Sequence, residues 1–257
     1  MSGVSLVSLT LIGLAEARGK HLQYSKFANT NNTNIFFASP SPSRVRLSSR
    51  SGMLILYTPA LLAGLASTFS PLLLAHQRKS LLLSSALFVH FLKRVLEVLF
   101  VHKYSGGMML DSAILISLSY FLATVNAVYA QHFTHGLYNP IPPVVDLLLP
   151  GVVLFFIGIS GNLYHHCLLA KLRNKDDDKG YKIPKGGFFS LVICPHYLFE
   201  IVEFVGIAFI AQTIFAFSFT FGTIAYLMGR SYATRKWYLS KFPNFPRQVK
   251  ALFPFLF

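Results

Sequence analysis

Three ionisable residues, His196, Glu200 and Glu203, fall inside a long apolar run, 188–230, that carries no Lys or Arg before its end. Steps of four and three residues put all three on one face of a helix. Ionisable groups cost about 2.5–3.5 kcal/mol or more at the centre of a membrane helix, so they persist there mainly where they line a cavity or bind something. The seam points to a buried, lipid-accessible site. It leads on to Arg230, Tyr232, Arg235, Lys236 and Tyr238.

A second group is His90, Lys93, Arg94 and Glu97. Residues 90, 94 and 97 share a helical face, and Glu97 can pair with Arg94 or Lys93. A structural ion pair that lets a polar helix pack in a bundle would use the same residues. A third group is Asn162, Tyr164, His165 and His166, followed by Lys171 and Arg173, which interfacial decoration by aromatic and basic residues would also explain. A metal-dependent oxygenase would need histidines from several helices converging on one side. Here His132 and His135 fall at one predicted end of the spans and His165–His166 at the other, so no metal centre is expected. No G-x-G-x-x-G follows a strand and no G-x-x-x-x-G-K occurs, while Gly186–Gly187 reads as a turn. Any nucleotide must therefore be held between helices by Arg, Tyr, Asn and carboxylates. Cys167 and Cys194 have neither metal nor disulfide spacing and read as small buried residues.

The elements that must position these groups are membrane helices. The 257 residues are 53% hydrophobic and 12% charged, with a mean hydropathy of +0.53; soluble domains are about 25% charged. The expected fold is all-α, an integral membrane helical bundle of six or seven transmembrane helices. Spans of roughly 20 apolar residues read at 53–75, 80–101, 110–131 and 146–170, followed by two within 188–229 that form a hairpin turning near 212–217. Residues 4–15 read as a shortened first span, with a signal or transit segment as the alternative. Residues 29–50, rich in Asn, Ser, Pro and Arg, read as a loop. The chain thus divides into an N-terminal segment, 1–52, and a membrane domain, 53–257.

The formal net charge of +14 is gathered in short segments of the kind found on the cytosolic side beside anionic lipid. These alternate with spans and form no separate domain, which argues against nucleic-acid binding. Residues 171–185 and 230–250, and with them the C-terminus, should face the cytosol. Residues 132–145, without Lys or Arg, should face the other side. Carrying the alternation back puts Lys103 on the cytosolic side and Arg78–Lys79 opposite.

The segments GISGNLYHHCLLAKLR (158–173), YKIPKGGFF (181–189), CPHYLFEIVEFVG (194–206) and GRSYATRKWYLSKFPNFPRQVKALFPFLF (229–257) resemble, in order, the steroid 5α-reductase family. HFLKRVLEVLFVHKYSGG (90–107) is similar to the enoyl-CoA reductase branch of the same superfamily, and PHYL (195–198) to the polyprenol reductase branch.

The resemblance implies a multi-pass endoplasmic-reticulum oxidoreductase that uses NADPH to saturate a carbon–carbon double bond conjugated to a carbonyl. Its partners would be the lipid bilayer and a small lipophilic substrate, with a 3-oxo-Δ4 steroid the leading candidate. Very-long-chain enoyl-CoA reduction, polyprenol reduction and a non-catalytic lipid-binding or scaffold role are the alternatives. Matched positions that would touch the nucleotide are Asn162, Arg173, Tyr181, His196, Glu200, Arg230 and Tyr238, which makes 158–257 the cofactor-binding part. Arg173 and Arg230 would pair with phosphates, and Asn162 and Glu200 would hydrogen-bond amide or ribose groups. The family usually carries Asn at 196 (His in the polyprenol branch), often Asp at 166 and His at 234. In steroid-reducing animal members a Glu and a Tyr bracket the steroid carbonyl; Tyr57 and Phe91 stand at those positions here. Hydride addition at the β-carbon builds negative charge on the carbonyl oxygen, which needs a donor. Tyr57, His90 and Tyr197 are the candidates, Tyr57 first.

Overall fold

A backbone in lipid must satisfy its own hydrogen bonds, so apolar runs without breakers become helices. The computed structural model describes residues 1–22, 24, 27, 45–69, 78–104, 106–136, 145–173 and 181–257. Seven α-helices run through them: α1 Ser2–Ala17, α2 Ser49–Thr68, α3 Arg78–Leu96, α4 Leu110–Gly136, α5 Leu148–Lys171, α6 Pro195–Ala211 and α7 Ile214–Lys241. The protein is an integral membrane helical bundle. By length and composition α2, α4 and α5 can each cross a membrane, and α1 is apolar but shorter. The end of the expected span at 70–75, most of the 29–50 loop and residues 174–180 lie outside the described residues.

A short antiparallel ribbon, β1 Arg46–Ser48 with β2 Gly107–Met109, ties the start of α2 to the start of α4. Ser48 caps α2 by accepting a hydrogen bond from Ser51 N–H at 3.1 Å, which satisfies one orphan donor of the first turn. Pro59 lies inside α2 and cannot donate to the Ile55 carbonyl. Ser117 Oγ of α4 donates to that carbonyl instead, at 2.9 Å. The α3 helix continues as a π-helical turn, Glu97–Val101, and the two together match the expected span at 80–101.

The hairpin is tighter than 212–217. Gln212 closes α6 in the left-handed region at φ 51, and Thr213 caps α7 by accepting from Ala216 N–H. The α7 helix also runs past the expected end at 229, because nothing between Arg230 and Phe242 breaks a helix before Pro243. The basic stretch from 230 therefore begins inside a helix, and Arg230 is buried in the bundle instead of flanking it.

The closest helix pairs are α5 with α6 and α1 with α7. Both rest on glycine. A Cβ on Gly158 would lie 2.3 Å from Glu203 N, and one on Gly229 would lie 1.9 Å from Gly13 O. Small residues let membrane helices approach this closely. The bundle has two distinct ends. At one, Arg50 donates to Leu99 O and Lys103 Nζ donates to Arg173 O at 2.8 Å. At the other, Asp146 pairs with Lys79 at 3.2 Å. A hydrogen bond from Gln212 there holds the Asp146 carboxyl below its ordinary range.

Candidate functional site

The polar seam of α6 separates into two halves. Glu203 points at α3, where His90 Nδ1–H donates to its Oε1 at 2.7 Å and Lys93 Nζ lies 3.9 Å from its Oε2. Lys93 also donates to Asn162 Oδ1 of α5, and Asn162 Nδ2 donates to His196 O at 2.8 Å. His90, Asn162 and Glu203 are all buried. The close approach of α5 at Gly158 brings these groups together and closes them off. Neither His90 nor Asn162 lines the cavity described next, although both were expected to face a ligand. His90 spends its donor on Glu203, and Asn162 is held between a lysine and a backbone carbonyl.

The other half faces a cavity of about 860 Å³. Glu200 lines it with Tyr57, Tyr197, His196, Arg173, Tyr181, Arg230 and Tyr238, and so do Arg94, His102 and His166. The structure thus gathers most of the expected site residues from three helices, the segment just past α5 and the 181–186 segment around one space. Val4, Leu9 and Ile12 of α1 and Leu115, Leu118 and Leu122 of α4 add apolar lining, interspersed with Ser5, Ser8, Ser119 and Asn126. Glu200 is buried, yet its Oε2 has no hydrogen-bond partner among the described residues. A buried carboxylate oxygen left unsatisfied is costly. A ligand with hydroxyl or amide donors would satisfy it.

The basic residues differ in how far they are already committed. Arg230 Nη1 donates to both carboxylate oxygens of Glu16, at 2.8 and 2.9 Å, and Nη2 donates to Tyr24 O at 3.2 Å. Its guanidinium lies 4.1 Å from the Tyr24 ring centroid. Arg173 donates to Lys103 O and sits 5.8 Å from the Tyr181 ring centroid. Burial pushes the Tyr181 phenol up, against the pull of Arg173. Arg235 is spent on the C-terminal tail, donating to Val249 O and Arg247 O.

Arg94, which lines the cavity, joins two other groups. Its Nη2 donates to Tyr57 Oη at 2.5 Å, and its Nη1 donates to Glu97 Oε2 at 3.1 Å. His166 Nδ1–H donates to Glu97 Oε1 at 3.0 Å. Glu97, His102 and His166 carry potential metal-ligand atoms within 4.8 Å of one another. Nothing in the spacing of the sequence announces this trio, since His166 lies far along the chain from Glu97 and His102. Arg94 and Lys93 already supply positive charge to Glu97. His132 stands near the far end of α4, and the side chain of His135 lies outside the described residues.

Neighbours on the same chain explain other local features. Gly186 and Gly187 both take positive φ, at 87 and 50. A Cβ on Gly187 would lie 2.7 Å from His165 Nε2. The turn delivers Phe188 N–H to that nitrogen at 3.1 Å, while His165 Nδ1–H donates to Gly161 O. His165 is thereby a fastener of the α5–α6 connection. Glu16, Tyr24 and Tyr120 were not expected at the cavity or its supports. Glu16 offered one signal, an acid directly after the apolar run 4–15.

The family model described as 3-oxo-5-alpha-steroid 4-dehydrogenase matches residues 110–257. The chain is 43% identical over 110 residues to a steroid 5-alpha-reductase of Gossypium hirsutum, covering 42% of each chain. It is 31% identical over 237 residues to 3-oxo-5-alpha-steroid 4-dehydrogenase 1 of Macaca fascicularis, covering 90% of this chain and 88% of that one. It is 38% identical over 109 residues to 3-oxo-5-alpha-steroid 4-dehydrogenase 1 of Homo sapiens, again covering 42% of each. The matched part thus spans less than half of the Gossypium hirsutum and Homo sapiens relatives and most of the Macaca fascicularis one.

Proposed function

We propose, from the premise that this chain belongs to the 3-oxo-5-alpha-steroid 4-dehydrogenase family, that it reduces the carbon–carbon double bond of a 3-oxo-Δ4 steroid with NADPH. The reaction would run in the endoplasmic-reticulum membrane, with the C-terminus in the cytosol. The observation that carries this reading is the cavity, whose lining combines basic and aromatic residues with the apolar residues of α1 and α4. Its volume, about 860 Å³, lies in the upper part of the range of about 300–1,000 Å³ usual for small-molecule sites. That leaves room for more than a sterol.

The residues present fit a nicotinamide dinucleotide. Arg173, Tyr181, His196, Glu200 and Tyr238 line the cavity and would hold it, with Arg173 pairing a phosphate and the open Glu200 oxygen accepting from an amide or ribose hydroxyl. Arg230 would serve a phosphate by sharing the cation now paired with Glu16. Asn162 would act through Lys93 and His196 instead of by contact. NADPH, when bound, supplies a hydride to the β-carbon of the enone. The apolar residues of α1 and α4 would exclude water and hold the sterol rings. Tyr57 would donate a hydrogen bond to the carbonyl oxygen as negative charge develops there. Tyr197 lines the same cavity as the second candidate.

The test is NADPH oxidation by the purified full chain in detergent against 4-en-3-one steroids, trans-2-enoyl-CoAs and polyprenal. The expected result is oxidation with the steroids, accompanied by loss of enone absorbance. Oxidation with enoyl-CoA alone, or with none of the three, would overturn the assignment.

A further inference from the structure

We infer that Arg94 is a positioning residue for Tyr57: it occupies an acceptor site on the phenol oxygen and so directs the phenolic hydrogen toward the cavity. The inference rests on the enone-reductase reading above and deepens it. The argument is one of donors and acceptors. Arg94 Nη2 stands 2.5 Å from Tyr57 Oη. A guanidinium has five donors and no acceptor, so in this bond the phenol oxygen must accept. The phenolic hydrogen is therefore unspent, and no acceptor for it stands within hydrogen-bond distance among the described residues. Tyr57 is buried and both residues line the cavity. The acceptor that would complete the phenol is a ligand oxygen.

The guanidinium is fixed on its other side. Glu97 Oε2 accepts from Nη1 at 3.1 Å, and Glu97 is itself held by His166 at 3.0 Å. Its carbon lies 4.8 Å from the Tyr57 ring centroid. Tyr120 also stacks on that ring at 5.8 Å, so the phenol has little freedom to swing. A cation clamped between a carboxylate and the phenol oxygen stays within reach of any negative charge that Tyr57 stabilises. Preorganised donors of this kind act without rearrangement during the reaction. Here α2 supplies the donor, Tyr57, and α3 the residue that orients it, Arg94.

The experiment reads the carbonyl directly. A 4-en-3-one steroid is bound to the full chain in detergent with NADP+, so that no turnover occurs, and its C=O stretch is recorded by infrared difference spectroscopy. Steady-state kcat and KM are measured with NADPH in parallel. The wild type should lower the C=O frequency relative to the steroid in apolar solvent. Tyr57→Phe should abolish that shift and lower kcat about 100-fold or more. Arg94→Ala would strip Glu97 of a partner and could unfold the protein, so Arg94→Lys, which keeps the charge, is the working variant. It should weaken the shift and lower kcat by up to about 100-fold through misplacement of the donor, with KM little changed. The double variant should be no slower than Tyr57→Phe alone. Wild-type frequency and kcat in Arg94→Lys, or losses that multiply in the double variant, would overturn the inference while leaving the proposed reaction standing. A wild type that reduces no enone would overturn the reaction. The same spectra would still decide the pair, since an unshifted carbonyl refutes it and a shift lost in Tyr57→Phe and weakened in Arg94→Lys supports it.

Discussion

Glu203 and Glu200 stand one turn apart on α6 and live in opposite surroundings. Glu203 is closed in by α3 and α5, with His90 on one oxygen and the Lys93 ammonium 3.9 Å from the other. That second oxygen accepts no hydrogen bond among the described residues but stands beside a cation inside the bundle. Glu200 faces the cavity with an oxygen that nothing among the described residues satisfies. The contrast extends along both faces of the seam. His90, Lys93 and Asn162 are engaged with Glu203, with one another and with the backbone inside the bundle, whereas Tyr57, Glu200 and Arg173 line the cavity with bonding capacity to spare. Ionisable residues in a membrane bundle therefore serve two purposes, and the difference is one of partners. Where the neighbours of a carboxylate are cations and donors of other helices, the group fastens helices together. Where one oxygen or hydrogen is left over beside a cavity, a ligand is the missing partner.

That comparison can be broken from several directions. The largest effect should come from Glu203→Ala, which leaves His90 and Lys93 without their carboxylate inside the bundle. Removing one partner of a buried pair costs about 3–5 kcal/mol, visible as a lower unfolding temperature in detergent. A wild-type transition would mean that the enclosed half does not hold the helices. Glu200→Gln should do the reverse. Its unfolding should match the wild type, while NADPH affinity measured by titration calorimetry falls by about 1.5–3 kcal/mol, the range for hydrogen bonds to charged groups. If Glu200→Gln unfolds the protein and binding survives, the two carboxylates have exchanged roles. Arg173 is only partly buried. Its replacement by Ala should weaken NADPH binding by a smaller amount, about 0.5–1.5 kcal/mol, and flatten the salt dependence of binding. Salt dependence equal to the wild type would place the phosphates elsewhere. The smallest effect belongs to Lys79→Ala at the far end of the bundle. Its partner Asp146 is 59% exposed, and exposed pairs contribute little, so the unfolding temperature should not move. A clear drop would show that this rim is as tightly bound as the interior.

Much of this was legible in the residues. Hydropathy placed the helices because lipid enforces internal hydrogen bonding wherever an apolar run is long enough. The i, i+3 spacing announced the Arg94–Glu97 pair, which the structure shows at 3.1 Å. The helical face shared by 196, 200 and 203 was also visible. Other features had no local signature. Glu16 meets Arg230 across 214 positions of sequence, and Arg94 meets Tyr57 across 37. His102 reaches Glu97 and His166 only because the π-helical turn ends between them in the chain. The overrun of α7 past 229 was hidden by charge, since Lys and Arg read as the end of a span even where the helix continues.

The sequence by itself determined that this chain is a membrane bundle, which residues become helical, and which side chains share a helical face, because each of those follows from local composition and a period of 3.6 residues. Only the tertiary structure decided which face meets which. The glycines at 13, 158 and 229 set how closely α1, α5, α6 and α7 approach. That approach determines which carboxylate is enclosed and which is left facing the cavity. Periodicity says where a side chain points along its own helix, but a hydrogen bond needs a second atom within about 3 Å, and the packing of other helices supplies that atom.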